Sequence, residues 1–248
     1  MSTLKDKIAF VTGGTRGMGQ AIVKRLAKEG AAVAFTYKTS DEKAQAIVDE
    51  ISQAGGKALA IKADGAVKGS VEKAVQQTVD SFKKIDILVN NAAIAVSGPI
   101  ETAHSRAEQY DQQIDVNIRS VAEAVRTVQM YMPDGGRIIN IASVGGIRIG
   151  GPGMSDYVAT KAAISAYTRG LAWDLAPRNI TVNSIQPGAT DTDMMPSDPA
   201  IREAYFNAIP LKRLGKPEEI AALVNFLAGD EAGYITGSSI TIDGGISA

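Results

Sequence analysis

Three side chains, Ser143, Tyr157 and Lys161, have the types and spacing for proton chemistry at an oxygen atom. Tyr157 and Lys161 stand four apart in SDYVATKAAISAYTRGLAWDL, an alanine-rich stretch that reads as a helix. Residues at i and i+4 share one helix face, so the phenol and the ammonium point into the same space. Ser143 ends RIINIAS, an apolar run that reads as a buried strand, and the two glycines that soon come after it open a loop. Such a trio can protonate or deprotonate a carbonyl or alcohol oxygen. A Y-x-x-x-K spacing recurs on many ordinary helices, so its weight comes from the rest of the chain.

A second constellation lies in VTGGTRGMGQAIVKRLAKEGA. Ile8 to Val11 reads as a buried parallel strand and residues 12–19 as a turn. The next stretch reads as a helix with Met18, Ile22 and Leu26 along one face. Gly13, Gly17 and Gly19 would let backbone approach a pyrophosphate closely and pack the helix on a sheet. The helix N-terminus adds free N–H groups and partial positive charge. The pattern is G-x-x-x-G-x-G, not the G-x-G-x-x-G of many dinucleotide enzymes.

Positioning these groups requires an alternation of short strands and helices. Strands are expected at 8–11, 32–37, 58–62, 87–90, 137–142, 181–186 and 239–242, with helices near 18–29, 40–54, 70–83, 101–132, 156–176 and 217–228. Gly30 and Gly55-Gly56 stand where C-terminal caps belong. Thr39, three before Glu42, has capping-box spacing. Repeated βα units with continuous apolar strands predict an α/β fold, a parallel sheet with helices on both faces. One domain over 1–248 is expected. The irregular 187–200, rich in Pro, Asp and Met, reads as a functional loop, a lid.

The 248 residues include 26 basic and 27 acidic side chains, a net charge of −1, and no cysteine. Nothing there forms an electrostatic footprint for nucleic acid or an anionic membrane surface. Disulfides, thiolate metal sites and thiol catalysis are excluded. MSTLKDKIAF lacks an apolar signal core, and no run approaches the roughly 18 apolar residues of a membrane span, so a soluble, cytoplasmic protein is expected. The lone His104 reads as a surface residue, and no metal site is expected.

The motifs fall in order: TGGTRGMG at 12–19, NNAA at 90–93, Asn117, Ser143, YVATK at 157–161, PGATDT at 187–192 and IDGG at 242–245. On these the chain resembles the short-chain dehydrogenases/reductases, from the first strand to the C-terminal IDGG. The resemblance implies a doubly wound, Rossmann-type sheet of seven parallel strands with a nicotinamide dinucleotide along their carboxyl ends. It implies hydride transfer between nicotinamide C4 and a carbonyl carbon. Tyr157 would be the general acid in reduction and the base in oxidation. A free phenol, with a pKa near 10, is poorly matched to that task at neutral pH. Lys161 would supply the cation that favours the phenolate and hold the nicotinamide ribose. Ser143 would orient the substrate oxygen, and Asn117 would anchor a water completing a proton relay to Lys161.

The same resemblance implies cofactor contacts beyond Tyr157 and Lys161. Thr15, Arg16 and Met18 would join the three glycines of the turn. Asp64 and Gly65 would lie near the adenine, and Asn91, Ala92 and Ala93 beyond the fourth strand. Pro187, Gly188, Thr190 and Thr192 would flank the nicotinamide end. Two departures stand out. Ala93 replaces a usual glycine, which costs stability if its φ is positive. Gly65 replaces an apolar residue.

NAD enzymes place an acid about 20 residues past the glycine turn to hold the ribose 2′-OH. Tyr37 stands there, with Lys38 next and Arg16 inside the turn. Two cations and no carboxylate suit a 2′-phosphate, so NADP(H) is expected, with NAD(H) as the alternative. Asp41 reads as an acid serving the helix dipole.

Family members often pair the helices matching 101–132 and 156–176, the latter carrying Trp173, which implies a homodimer or homotetramer. Residues near 94–100, 144–155 and a substrate loop near 187–210 are expected to line the pocket. Ile94, Val96, Ile147, Ile149, Met154, Met194, Met195 and Phe206 lean toward hydrophobic carbonyl compounds. A carbonyl reductase or alcohol dehydrogenase on small ketones or secondary alcohols is the first reading. A 3-oxoacyl-acyl-carrier-protein reductase is the second, with Arg178 available for an acidic carrier. A nucleotide-binding sensor without turnover is the third, and retention of Tyr157 and Lys161 weighs against it.

Overall fold

Seven short apolar runs become the strands: β1 (Ile8–Val11), β2 (Ala32–Tyr37), β3 (Lys57–Lys62), β4 (Ile87–Asn90), β5 (Arg137–Ile141), β6 (Thr181–Pro187) and β7 (Ser239–Ile242). The structure, a computed structural model, describes residues 4–148 and 151–248. Ile149, expected in the pocket, lies outside the described residues. All strands pair in parallel, in the order β3-β2-β1-β4-β5-β6-β7. The order reverses between β1 and β4, and in such sheets the crevice beyond the carboxyl ends at this point receives ligands.

The helices are α1 (Gly17–Lys28), α2 (Asp41–Gln53), α3 (Ser70–Phe82), α4 (Ala107–Ile114), α5 (Ser120–Val128), α6 (Ser155–Leu175), α7 (Pro199–Ala208) and α8 (Pro217–Ala228). Alternation along the strands divides the core between two faces. Val11, Val33 and Val89 pack with Ile22, Leu26, Ile47 and Val224, from α1, α2 and α8. Phe10, Leu88 and Ile138 pack with Val75, Val125 and Leu171, from α3, α5 and α6. Each large side chain so buried contributes about 1.5–3 kcal/mol. Gly30 and Gly55 cap α1 and α2 as expected, with φ of 97° and 81°. Among the described residues no helix is long and apolar enough to cross a membrane.

Three expectations need correction. The stretch 101–132 is not one helix. It opens as a 3-10 segment, Ile100–Arg106, where the Thr102 and Ser105 hydroxyls bond the carbonyls of Pro99 and Thr102 and compete with regular helix. After α4 comes a π-turn, Asp115–Arg119, and α5 ends at Val128 in tight i→i+3 bonds ahead of Pro133. No helix is expected between 176 and 217, yet α7 follows the irregular 187–200, overlapping it only at Pro199 and Ala200. It is capped by Asp198, whose carboxylate accepts the Ala200 N–H at 2.8 Å with Pro199 in the first turn. The capping box at Thr39 does not form. α2 starts one residue later, with Ser40 as its N-cap and no side-chain cap, so Glu42 falls one position short of N3.

Candidate active site

The ends of β1 to β6 assemble the site, because in a parallel sheet every functional segment leaves on the same side. Beyond β1, Gly13 takes a φ of 72° and donates its N–H to the Thr36 hydroxyl at 3.1 Å. A Cβ at Gly14 would lie 2.7 Å from Phe35, and one at Gly19 would lie 2.0 Å from the Gly13 carbonyl oxygen. Glycine is therefore compulsory in this turn. α1 begins behind it with no side-chain cap and no acidic residue in its first turn, leaving its N-terminal N–H groups for an anion. These features fit the diphosphate of a dinucleotide. Gly19→Ala is expected to destabilise the fold by about 1–3 kcal/mol through overpacking and to abolish cofactor affinity. Thermal melts with and without dinucleotide would check both.

Beyond β4, Asn91 ties its segment to this turn. Its side-chain amide donates to the Thr12 and Gly13 carbonyls at 3.0 and 2.9 Å, while the Asn91 and Ala92 N–H groups both reach the Thr12 hydroxyl at 3.0 Å. Sequence alone does not single out Thr12, and its buried hydroxyl is the hub joining β1 to β4. Ala93 is absent from the residues of positive φ, so alanine in place of glycine carries no backbone strain.

Ser143 stands at the exit of β5. Its hydroxyl accepts the Gly145 N–H at 3.0 Å. A Cβ at Gly146 would lie 3.1 Å from the Ala162 nitrogen, so the glycines bring the serine loop against the backbone of α6. On α6, Lys161 is 4% exposed and donates to the Ile141 carbonyl at 2.9 Å. Its ammonium lies 5.9 Å from the centroid of the Tyr157 ring. The expected serine, tyrosine and lysine are thus brought together.

Their electrostatics differ from expectation. Burial pushes the Tyr157 phenol up, a hydrogen bond with Ser143 opposes this, and the charge of Tyr205 adds to the rise. Burial pushes Lys161 down to about 8. Burial thus outweighs any pull of the Lys161 ammonium toward phenolate. The physical reason is desolvation of both groups, with the ammonium committed to a backbone carbonyl. Tyr205, on α7, is invisible to sequence reasoning because no spacing links it to Tyr157.

Asn117 lies on the π-turn, 2% exposed. Its amide grips both backbone groups of Ile94, at 3.0 and 2.9 Å, and donates to the Thr160 hydroxyl at 3.0 Å. That hydroxyl donates to the Tyr157 carbonyl at 2.7 Å. Asn117 therefore connects to the tyrosine helix through Thr160.

At the β2 and β3 ends, Lys38 is not a free cation. It pairs with Asp64 at 2.9 Å. Burial alone would raise Asp64, yet the Ala66 N–H and Lys38 hold it below the usual range. Asp41 accepts from the Tyr37 hydroxyl at 2.9 Å and pairs with Lys62 at 2.9 Å. Asp41, expected to serve the helix dipole, and Asp64, expected near the adenine, are thus each matched by a lysine. Lys62 carries no motif signal, although β-pairing sets it directly beside Tyr37. Arg16 is exposed at the head of α1 and makes no ion pair among the described residues. Gly65 faces Ser120, with 3.4 Å from a Cβ to that side chain.

Beyond β6, Pro187 ends the strand and the Gly188 N–H bonds the Ile242 carbonyl at 3.0 Å. The Thr190 hydroxyl turns inward to the Gly188 carbonyl at 3.1 Å. Thr192 lies over the glycine turn, 3.2 Å from where a Gly17 Cβ would stand. Thr15 and Met18 complete the turn, both half-buried. Of the expected pocket residues, Ile147, Met194 and Phe206 are exposed.

A doubly wound parallel sheet with a glycine cradle and a Ser–Tyr–Lys cluster at its carboxyl ends defines a dinucleotide-dependent oxidoreductase. A family model described as enoyl-(acyl carrier protein) reductase matches residues 13–247. A short-chain dehydrogenase/reductase of Serratia marcescens is 48% identical, with a TM-score of 0.96 over 99% of this chain and 100% of that one. A short-chain dehydrogenase of Burkholderia cenocepacia, solved with NADP, is 44% identical with the same TM-score and the same coverage, 0.96 over 99% and 100%. A 3-oxoacyl-(acyl-carrier-protein) reductase of Staphylococcus epidermidis is 39% identical over 244 residues, 97% of this chain and 99% of the relative. The chain belongs to the short-chain dehydrogenase/reductase family, oxidoreductases that act on CH–OH and C=O groups.

Proposed function

We propose that this protein is an NADP(H)-dependent carbonyl reductase, interconverting ketones with apolar substituents and secondary alcohols. The observation that carries the reading is the convergence of Ser143, Tyr157 and Lys161 beside the glycine cradle. Gly13, Gly17 and Gly19 with the head of α1 would hold the diphosphate, Asn91 to Ala93 and Pro187 to Thr192 the nicotinamide half, and Lys161 the ribose. When bound, the nicotinamide supplies or accepts the hydride. The Ser143 hydroxyl orients the carbonyl oxygen. Tyr157, kept protonated by burial, donates its proton to that oxygen in reduction. Lys161 sustains the proton supply, with Asn117 shaping the route. The loop near 187–210, α7 included, closes over substrate within a single domain.

The preference for NADP(H) is supported by Arg16, which makes no ion pair among the described residues, and by the Burkholderia relative solved with NADP. A charge-assisted bond to a 2′-phosphate contributes about 1.5–3 kcal/mol. Arg16→Ala is therefore expected to lower kcat/KM for NADPH about 10–150-fold and to leave NADH nearly unchanged. Steady-state kinetics with both cofactors at one ionic strength would check this.

The staphylococcal relative favours a second reading, reduction of 3-oxoacyl thioesters on a carrier protein. Arg178 no longer supports it. That guanidinium pairs with Asp134 and bonds the Gln129 and Met132 carbonyls, so it is a structural clasp. A panel of alkyl and aryl ketones, secondary alcohols and 3-oxoacyl thioesters, monitored by nicotinamide absorbance, tests both readings. Turnover confined to acyl-carrier thioesters would replace the first with the second. No turnover with tight dinucleotide binding would favour a sensor. Trp173, 85% exposed on α6, is a side chain that a second copy would cover. We read the assembly as a cytoplasmic homodimer or homotetramer, which light scattering would resolve.

A further inference from the structure

Segment 94–98, between β4 and the 3-10 stretch, is laced along the helical run 106–117 by side chains that bond its backbone. Asn117 holds Ile94. Gln113, one turn earlier, accepts the Val96 N–H at 2.6 Å. Arg106 donates to the Ser97 carbonyl, and its guanidinium stacks 5.7 Å from the Tyr110 ring centroid. The Gly98 N–H then reaches the Gly153 carbonyl at 2.8 Å, two residues before α6. The segment thus runs from Asn117 to the start of the helix that carries Tyr157. Ile94 and Val96 on it are half-buried.

Gln113 is the costly member of this series. It is 0% exposed, and its Nε2 has no hydrogen-bond partner among the described residues. An unmet buried donor destabilises a fold, and an unmet group of this kind calls for an explanation. An apolar residue of equal volume would remove that cost. It would also leave the Val96 N–H without its acceptor. The benefit of glutamine at this position is therefore the placement of Val96.

We propose that Gln113 is a positioning residue for substrate selection. Through the Val96 N–H it fixes the 94–97 wall of the pocket against Asn117 and α6, and so sets the fit of the ketone's apolar substituent. This rests on the carbonyl reductase reading. Nothing in the sequence marks Gln113 beyond its place four residues before Asn117.

Two variants and two readouts test it. Gln113→Met keeps volume and loses the acceptor, whereas Gln113→Glu keeps an acceptor oxygen. In Gln113→Met, amide exchange at Val96 should quicken about tenfold and the ketone KM should rise about 5–10-fold, with NADPH Kd unchanged. Gln113→Glu should restore both to within about threefold of wild type. An unchanged KM in Gln113→Met overturns the proposal, whether or not exchange quickens. It is equally overturned if Gln113→Met fails to fold, or shifts KM, NADPH Kd and melting temperature together, because the side chain then only holds up the fold. Amide exchange needs no turnover. A wild type inactive on every ketone would refute the reductase reading, while slow Val96 exchange in wild type and Gln113→Glu but not Gln113→Met would still support Gln113 as the clasp.

Discussion

Tyr157→Phe is expected to slow turnover by about 10²–10⁴-fold, the usual contribution of a positioned general acid, and to leave dinucleotide affinity nearly unchanged. Only the phenolic oxygen and its proton are removed. The ring stays on α6, and the Tyr157 carbonyl still accepts the Thr160 hydroxyl at 2.7 Å. The phenol is raised by burial, so it stays protonated across neutral pH and is the donor that reduction requires. Measuring kcat together with cofactor Kd separates loss of the proton from loss of the site. Near-normal turnover would remove Tyr157 from the mechanism.

Lys161→Met should weaken dinucleotide binding and slow the chemical step together, since one ammonium serves both. Burial holds Lys161 at about 8, against an ordinary value of 10.5. Wild-type kcat/KM, which reports groups of the free enzyme, should fall as Lys161 loses its proton near that pH. In the variant this limb disappears, and activity at its lower level extends toward the raised titration of Tyr157. Stability should move the other way. Between about 8 and 10.5 the unfolded chain binds the proton that the folded chain has released, so wild-type stability rises with pH across that window. Below it, the buried charge costs a few kcal/mol, about 1.4 for each pKa unit. Methionine removes that cost along with the bond to Ile141, so the melting temperature at neutral pH should hold or rise. A fall in kcat at constant kcat/KM pH profile would contradict this assignment.

The strands were legible because fully buried parallel strands leave continuous apolar runs. Four of the seven fall at the expected bounds, and β3, β5 and β6 differ by one residue at one end. The glycine turn was legible for a related reason. A missing Cβ is a local requirement, and the 2.0 Å approach at Gly19 shows how strict it is. Helix 101–132 misled because periodicity does not register Thr102 and Ser105 bonding back to carbonyls, nor a π-turn at Asn117. The head of α7 does carry a local signal, Asp-Pro-Ala, but the surrounding Pro, Asp and Met residues mask it as loop.

In the candidate site, the sequence names candidate residues but not their partners. Lys38 looks like a phosphate ligand in sequence, yet Asp64, distant along the chain, pairs with it. Lys62 comes beside Tyr37 only through strand register. Whether Lys161 pulls Tyr157 toward phenolate depends on desolvation and on the Ile141 carbonyl, which no motif encodes. Gln113 is the extreme case, because its partner is a backbone N–H whose place is set by the fold alone.

Hydride transfer at this site is tested most directly with NADPH deuterated at nicotinamide C4. The enzyme is incubated with an aryl ketone and the alcohol examined by mass spectrometry. Deuterium on the carbinol carbon of the wild-type product, and its near-absence with Tyr157→Phe at equal cofactor occupancy, is the expected result. Tight NADPH binding with no deuterated alcohol from any ketone or 3-oxoacyl thioester would contradict it.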